Sequence, residues 1–206
     1  MKKLTLTLLT VIIGVAASAQ FQRLEVKEIP NDGSVPGKTY RIYAVMAAPN
    51  DVIDAVFADE NNPLEIVSTK PFYQHAKGGF LAVDVQRFDV QNDAKLKYDS
   101  WFTIGSEDNY NNYLMPFLMD EGEVAEFESG GKFSTTSSAW FVTPDRRQAF
   151  ADQEGKILLM QLTTEGTVNG KLNIHGRTRA VLDGEGNIIS GGEIIEERNL
   201  TFTCGK

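Results

Sequence analysis

The chain has 206 residues, with 20 Lys and Arg against 28 Asp and Glu, two His and one Cys, for a formal net charge of −8. Phosphate backbones are held by clustered cations, and the densest basic groups here, Arg146-Arg147 and Arg177-x-Arg179, are scattered among more numerous acids. Nucleic acid is therefore excluded as an expected partner, anionic lipid is disfavoured, and a single cysteine rules out an internal disulfide framework.

The start of the chain reads as an export leader. Lys2 and Lys3 form a short basic region, Leu4–Val15 is uncharged and mostly apolar, and Ala17-Ser18-Ala19 supplies the small residues needed beside a cleavage point. A helix over Leu4–Val15 would be about 18 Å long, short of a membrane span. The alternative is a retained anchor or a buried first helix. Position 20 is Gln rather than the Cys that lipid attachment would use. Cleavage after Ala19 would leave 187 of the 206 residues and lower the net charge from −8 to −10, because the leader carries two Lys and no acid. The expectation is one mostly β domain over residues 20–206, in a periplasmic or extracellular setting, with cell-surface association left open. No later stretch is apolar enough for stable membrane insertion after cleavage.

The mature part alternates with a period of two. Leu24-x-Val26-x-Glu28 is a weak opening strand, followed by a turn at Pro30–Gly33. In Lys38–Met46, Tyr40, Ile42, Ala44 and Met46 share one face and Arg41, Tyr43 and Val45 the other, which predicts a strand covered on both sides. Asp51–Ala58 fits a helix or a strand, and its β-branched content favours the strand. Leu64–Ser68 is short and extended, and Gly78-Gly79 separates a small element from Phe80–Phe88. Tyr98–Gly105 predicts an aromatic strand with Tyr98, Ser100, Phe102 and Ile104 on one side and Asp99, Trp101 and Thr103 on the other. A polar loop, Ser106–Tyr113, follows. Ser137–Thr143, Lys156–Thr163, Lys171–His175 and Ile194–Cys204 are further strands, with Asp145–Gln153 a short helix or crossover between the first two. Arg179–Leu182 and Asn187–Ser190 read as hairpin arms. One domain is favoured; Glu121–Lys132, rich in Glu and Gly, is the least unlikely internal boundary but contains no convincing linker. Roughly ten short strands at this spacing predict an all-β antiparallel sandwich or jelly-roll-like domain. Cys204 alternates with Leu200 and Phe202, which predicts a buried thiol; pairing with another chain is the alternative.

Four segments carry a family resemblance: Thr39-Tyr40-Arg41-Ile42-Tyr43, Tyr98-Asp99-Ser100-Trp101-Phe102-Thr103-Ile104-Gly105, Ala139–Asp145, and Leu159-x-Gln161-Leu162-Thr163-Thr164-x-Gly166. Together they run across most of the mature chain, which resembles secreted surface-associated domains of marine-type bacteria. The resemblance implies an extracellular module and brings no catalytic residues.

Two readings exist for the aromatic segments. Trp101 and Trp140 would close the two sides of a core, with Asp99 accepting backbone N–H bonds from a preceding turn. Alternatively, Trp101, Trp140, Tyr110 and Tyr113 would form an exposed platform for sugar rings, with Asn109 or Asp99 meeting hydroxyls. Catalytic vocabulary is sparse. His75 and His175 lack metal-ligand spacing, and no Gly-x-Ser-x-Gly elbow is present. Asp84 with Asp89, Glu107 with Asp108, or Glu196 with Glu197 would serve glycosidic cleavage only if two carboxyls faced each other about 5–9.5 Å apart. Asp183, Glu185 and Asn187 offer alternating oxygens as weak calcium ligands, though the run fails the EF-hand pattern and also suits a hairpin turn. No other cofactor is expected. The leading expectation is a noncatalytic surface-interaction or adhesion module that meets a glycan or an extracellular surface protein. A secreted polysaccharide hydrolase and a structural assembly subunit are the alternatives.

Overall fold

A computed structural model describes residues 20–185, 188–190 and 192–205, with only the backbone of 181–182 and 188–190. The expected leader and the calcium candidate Asn187 lie outside the described residues. Four strands open the fold: β1 (Phe21–Ile29), β2 (Lys38–Met46), β3 (Val52–Phe57) and β4 (Leu64–Ser68). After helix α1 (Arg87–Asn92) come the short strands β5 (Trp101–Phe102) and β6 (Met115–Phe117), then helix α2 (Glu121–Glu128). The remainder is β7 (Phe133–Thr135), β8 (Ala139–Phe141), β9 (Lys156–Thr164), β10 (Val168–Arg177), β11 (Val181–Leu182), β12 (Ile188–Ser190) and β13 (Ile194–Cys204).

Among the described residues the paired strands are all antiparallel, apart from an isolated parallel bridge between Leu81 and Phe102, and they form two principal sheets in a sandwich-like arrangement. The smaller has the order β1-β2-β9-β5. The larger has seven strands and is organised by β10. Strand β13 pairs along β10 from Val168 to Arg177, whereas β4 takes only 168–171 and β3 only 173–177, so β3 and β4 lie end to end on its other side. Asn173 sits at their junction, fully buried. Its amide donates to the carbonyls of Phe57 and Asn62 at 2.8 Å each, and its oxygen accepts from the Asn199 amide at 2.8 Å. One side chain thus supplies the hydrogen bonds that the gap between β3 and β4 would otherwise leave unmade. Strand β8 extends the sheet from β3, β6 lies outside β8, and β7 lies outside β4.

The main core fills the space between the sheets. Phe80, Phe102, Phe127, Phe133 and Trp140 form its aromatic centre, with Phe102 at 4.7 Å from Phe127 and 5.0 Å from Trp140 between ring centroids. The Trp140 indole N–H donates to the Thr103 carbonyl at 3.2 Å, which satisfies its one polar atom in the interior. A second, smaller cluster lies across the outer face of the four-stranded sheet. There Ala82, Val85, Leu96, Trp101 and Leu158 pack with Tyr43 and Val90, because the helical segment from Ala82 to Tyr98 covers that face. This is why β2 carries apolar groups on both sides.

Two expectations change. The Tyr98–Gly105 strand shrinks to the two residues of β5, preceded by a 3-10 turn at Leu96–Tyr98. Asp99 is fully buried and turns back to accept the amides of His75 at 2.7 Å and Gly79 at 3.2 Å, the turn-anchoring role its position predicts. Burial pushes its carboxyl up to about 7, against the lowering effect of the His75, Gly79 and Ser100 amides. The Glu- and Gly-rich stretch after Met119 is a helix, not a boundary. Asp120 caps it by accepting from the amides of Gly122 and Glu123 at 2.8 and 3.1 Å, and Phe127 carries it into the main core. The buried thiol expected at Cys204 is observed, and burial pushes it up to about 12.

Candidate binding site

The outer face of the four-stranded sheet presents Arg41 and Tyr43 from β2 and Gln161 from β9, beside the Ala82–Tyr98 cover. Gln161 is fixed first: its amide donates to the carbonyls of Lys97 at 2.8 Å and Asp99 at 2.9 Å, so its oxygen points at Arg41. Arg41 Nε donates to that oxygen at 2.9 Å. The two terminal nitrogens of Arg41 then donate to the two carboxylate oxygens of Glu107, both at 2.7 Å. Burial works against the Arg41 charge, and the bonds to Glu107 more than offset it, so its pKa is held above the ordinary arginine value.

Glu107 belongs to the loop at residues 106–113, which is tied down along its length. Thr103 Oγ1 donates to the Ser106 carbonyl at 2.6 Å. Arg87 donates to Asp108 at 2.8 Å, and the Asn109 side chain accepts from the Arg87 amide at 3.0 Å while donating to Gln86 at 2.7 Å. At the far end, the Gln148 oxygen accepts from the Tyr113 amide at 2.8 Å. Each tyrosine ring carries a guanidinium on one face: Arg87 over Tyr110 and Arg146 over Tyr113, both 4.1 Å from the ring centroid. Tyr110 and Tyr113 nevertheless stay 59% and 47% exposed.

Two clefts adjoin at Glu107. The smaller, about 330 Å³, has an apolar floor of Val85, Val90, Leu96 and Trp101 and a polar wall of Arg41 and Gln161. The larger, about 550 Å³, runs beneath the loop past Tyr43, Tyr110, Gln148, Asp152 and Lys156. Comparison with protein-family models, curated proteins and solved structures finds no match to the chain.

Of the sequence-predicted residues, Tyr110 lines the larger cleft and Tyr113 stands exposed at the end of the loop. Asn109 is spent on anchoring the loop rather than on facing a ligand. The exposed tryptophan platform is corrected: Trp140 is fully buried in the main core, and Trp101 is 2% exposed beneath the smaller cleft. Both rings are needed to fill apolar space that alternation alone does not reveal. The Asp183 carboxylate accepts from the Glu185 amide at 2.9 Å, as in a turn. Among the described residues no group of three or more His, Cys, Asp or Glu side chains gathers to hold a metal ion.

Both histidines have local carboxylate neighbours. His75 accepts the Lys77 amide on Nδ1 and meets Asp93 through Nε2 at 3.2 Å, while His175 Nδ1 lies 2.6 Å from Asp54. Four of the six carboxylates considered for paired chemistry have cationic partners: Asp89 has Lys77, Glu107 has Arg41, Asp108 has Arg87 and Glu196 has Arg198. Asp84 accepts from the Leu81 amide. Sequence reasoning missed Arg41, Gln161, Arg87 and Gln148. The one local signal was the charged Arg41 on an otherwise apolar, two-faced strand.

Proposed function

We propose that this domain is a noncatalytic extracellular binding module that takes a glycan along the clefts beside the 106–113 loop. The observation that carries the reading is the anchored loop. An eight-residue polar loop normally pays a large ordering cost on binding, but here its side chains and backbone are already tied to Arg87, Gln86 and Gln148. It holds Tyr110 at the rim of a cleft that also offers hydroxyl, amide, carboxylate and ammonium groups. A half-exposed aromatic ring beside several hydrogen-bonding groups suits a sugar, which has an apolar C–H face and a hydroxyl edge. Export rests on the leader sequence and belongs to the same proposal. Binding to a broad glycan panel tests it. The protein should bind at least one glycan, and Tyr110→Ala should weaken that binding about tenfold, the equivalent of ~1.4 kcal/mol. Absence of binding by the folded protein, or unchanged affinity in Tyr110→Ala, would count against it.

The assembly-subunit reading has one observation of its own. Strand β6 lies at the margin of the larger sheet, and Met115, Phe117 and Leu118 next to it are 40%, 55% and 63% exposed. Pro116 in the same strand lacks a backbone donor and opposes strand addition there. Sedimentation across a hundredfold concentration range separates the two readings, since assembly requires a concentration-dependent mass.

A further inference from the structure

We infer that the smaller cleft is an acid-sugar subsite, in which the carboxylate of a uronate residue replaces Glu107 on the Arg41 guanidinium. This rests on the glycan-binding reading and names the ligand class for it.

The exchange follows from how Arg41 and Glu107 are held. The Arg41 side chain is only 18% exposed and is oriented by Gln161, whereas the Glu107 side chain is 57% exposed. Among the described residues, Arg41 is the only hydrogen-bond partner of the Glu107 carboxylate. Its chain neighbours are fixed separately, Ser106 by Thr103 and Asp108 by Arg87. The Glu107 carboxylate can therefore swing into water by a side-chain rotation, with the loop backbone left in place. A planar guanidinium fork with a fixed Nε accepts another carboxylate in the same bidentate geometry.

Charge also permits the exchange. One carboxylate leaves as another arrives, so the desolvated guanidinium is never left unpaired. With Glu107 withdrawn, the charged groups lining the cleft are Arg41, Lys97 and Asp108, and Asp108 is already engaged by Arg87. The local balance is then cationic even though the whole chain is acidic, and the distant acids are screened beyond a Debye length of ~8 Å in physiological salt. Around the guanidinium, the partly exposed Ile29, Val90 and Tyr98 and the exposed Pro30 supply apolar surface for the C–H face of the ring, backed by the buried Leu96 and Trp101. The volume of about 330 Å³ sits at the low end of small-ligand sites, ~300–1,000 Å³. That is room for one ring with its substituents.

Glu107 acts in this scheme as a tethered competitor. Calorimetric titration with oligogalacturonate, oligomannuronate and oligoglucuronate, each beside its neutral methyl ester, tests the inference. At least one acid should bind more tightly than its ester. Glu107→Gln should tighten that acid about tenfold and raise the acid-to-ester affinity ratio, and adding Arg41→Lys should remove the gain. If the Arg41 variant fails to fold, the acid-to-ester ratio in Glu107→Gln decides alone. Equal binding of acid and ester in both proteins, or weaker acid binding in Glu107→Gln, overturns the acid-sugar subsite while the glycan reading stands. If no glycan, neutral or acidic, binds the wild-type protein or Glu107→Gln, the glycan reading falls and takes this inference with it.

Discussion

Glu107 and Arg41 meet through two parallel 2.7 Å hydrogen bonds that join the anchored loop to the second strand of the sheet. The two partners differ in their environment. Arg41 is largely covered and committed to Gln161, while Glu107 stands mostly in water. Removing one partner is therefore not equivalent to removing the other. Arg41→Met should lower stability by about 1–3 kcal/mol, because it leaves the inward-turned oxygen of Gln161 without its donor. Glu107→Gln should cost less than Arg41→Met, because the amide oxygen still accepts from the guanidinium, which also keeps its bond to Gln161. Urea denaturation of both variants checks the asymmetry, and equal losses would contradict it.

Asp99 makes a pH prediction. Its carboxyl titrates near 7 in the folded protein because it is buried, whereas an unfolded Asp titrates near ~3.9. The folded state thus holds the extra proton between those values. The stability tied to Asp99 is fully present below about pH 4 and is lost as pH rises through about 7. The loss is a few kcal/mol, at ~1.4 kcal/mol for each pH unit by which the titration is displaced. Asp99→Asn removes the titration and also leaves an amide unpaired, so the variant is weaker at low pH. The stability difference between wild type and Asp99→Asn should shrink from pH 4 to pH 7.5 in urea melts. A difference that grows with pH would contradict the raised titration.

Trp140 is a core residue, and its removal should show that. Trp140→Ala should cost about 3–5 kcal/mol, through lost burial and the cavity left among Phe80, Phe102 and Phe133. A cost below about 1 kcal/mol would mean that the ring is not buried. The same denaturation curve reports both outcomes.

Much of the strand order could be read from alternation, and the failures have physical causes. Lys38–Met46 and Leu64–Ser68 coincide with β2 and β4, since each keeps its pattern over the whole element. Tyr98–Gly105 alternates just as clearly but forms only a two-residue strand. Asp99 binds the turn at His75–Gly79, and Gly105 adopts a positive φ of 71°, so the ladder is cut at both ends. Helix α2 has a start signal in Asp120 followed by Glu123, but with so few apolar residues it has no amphipathic stripe. The polar loop was visible as a binding candidate from its composition. Its partner Arg41 was not, because it reaches Glu107 across 66 positions of the chain and no local pattern encodes that contact.

The most direct measurement of the central claim is an amide chemical-shift map of the protein titrated with the tightest glycan from the panel. The account predicts that the largest changes fall on Tyr43, Glu107, Tyr110, Gln148 and Lys156, around the clefts beside the loop, and that Tyr110→Ala abolishes them. Shifts centred on β6 and Leu118, or spread without focus over the larger sheet, would contradict it.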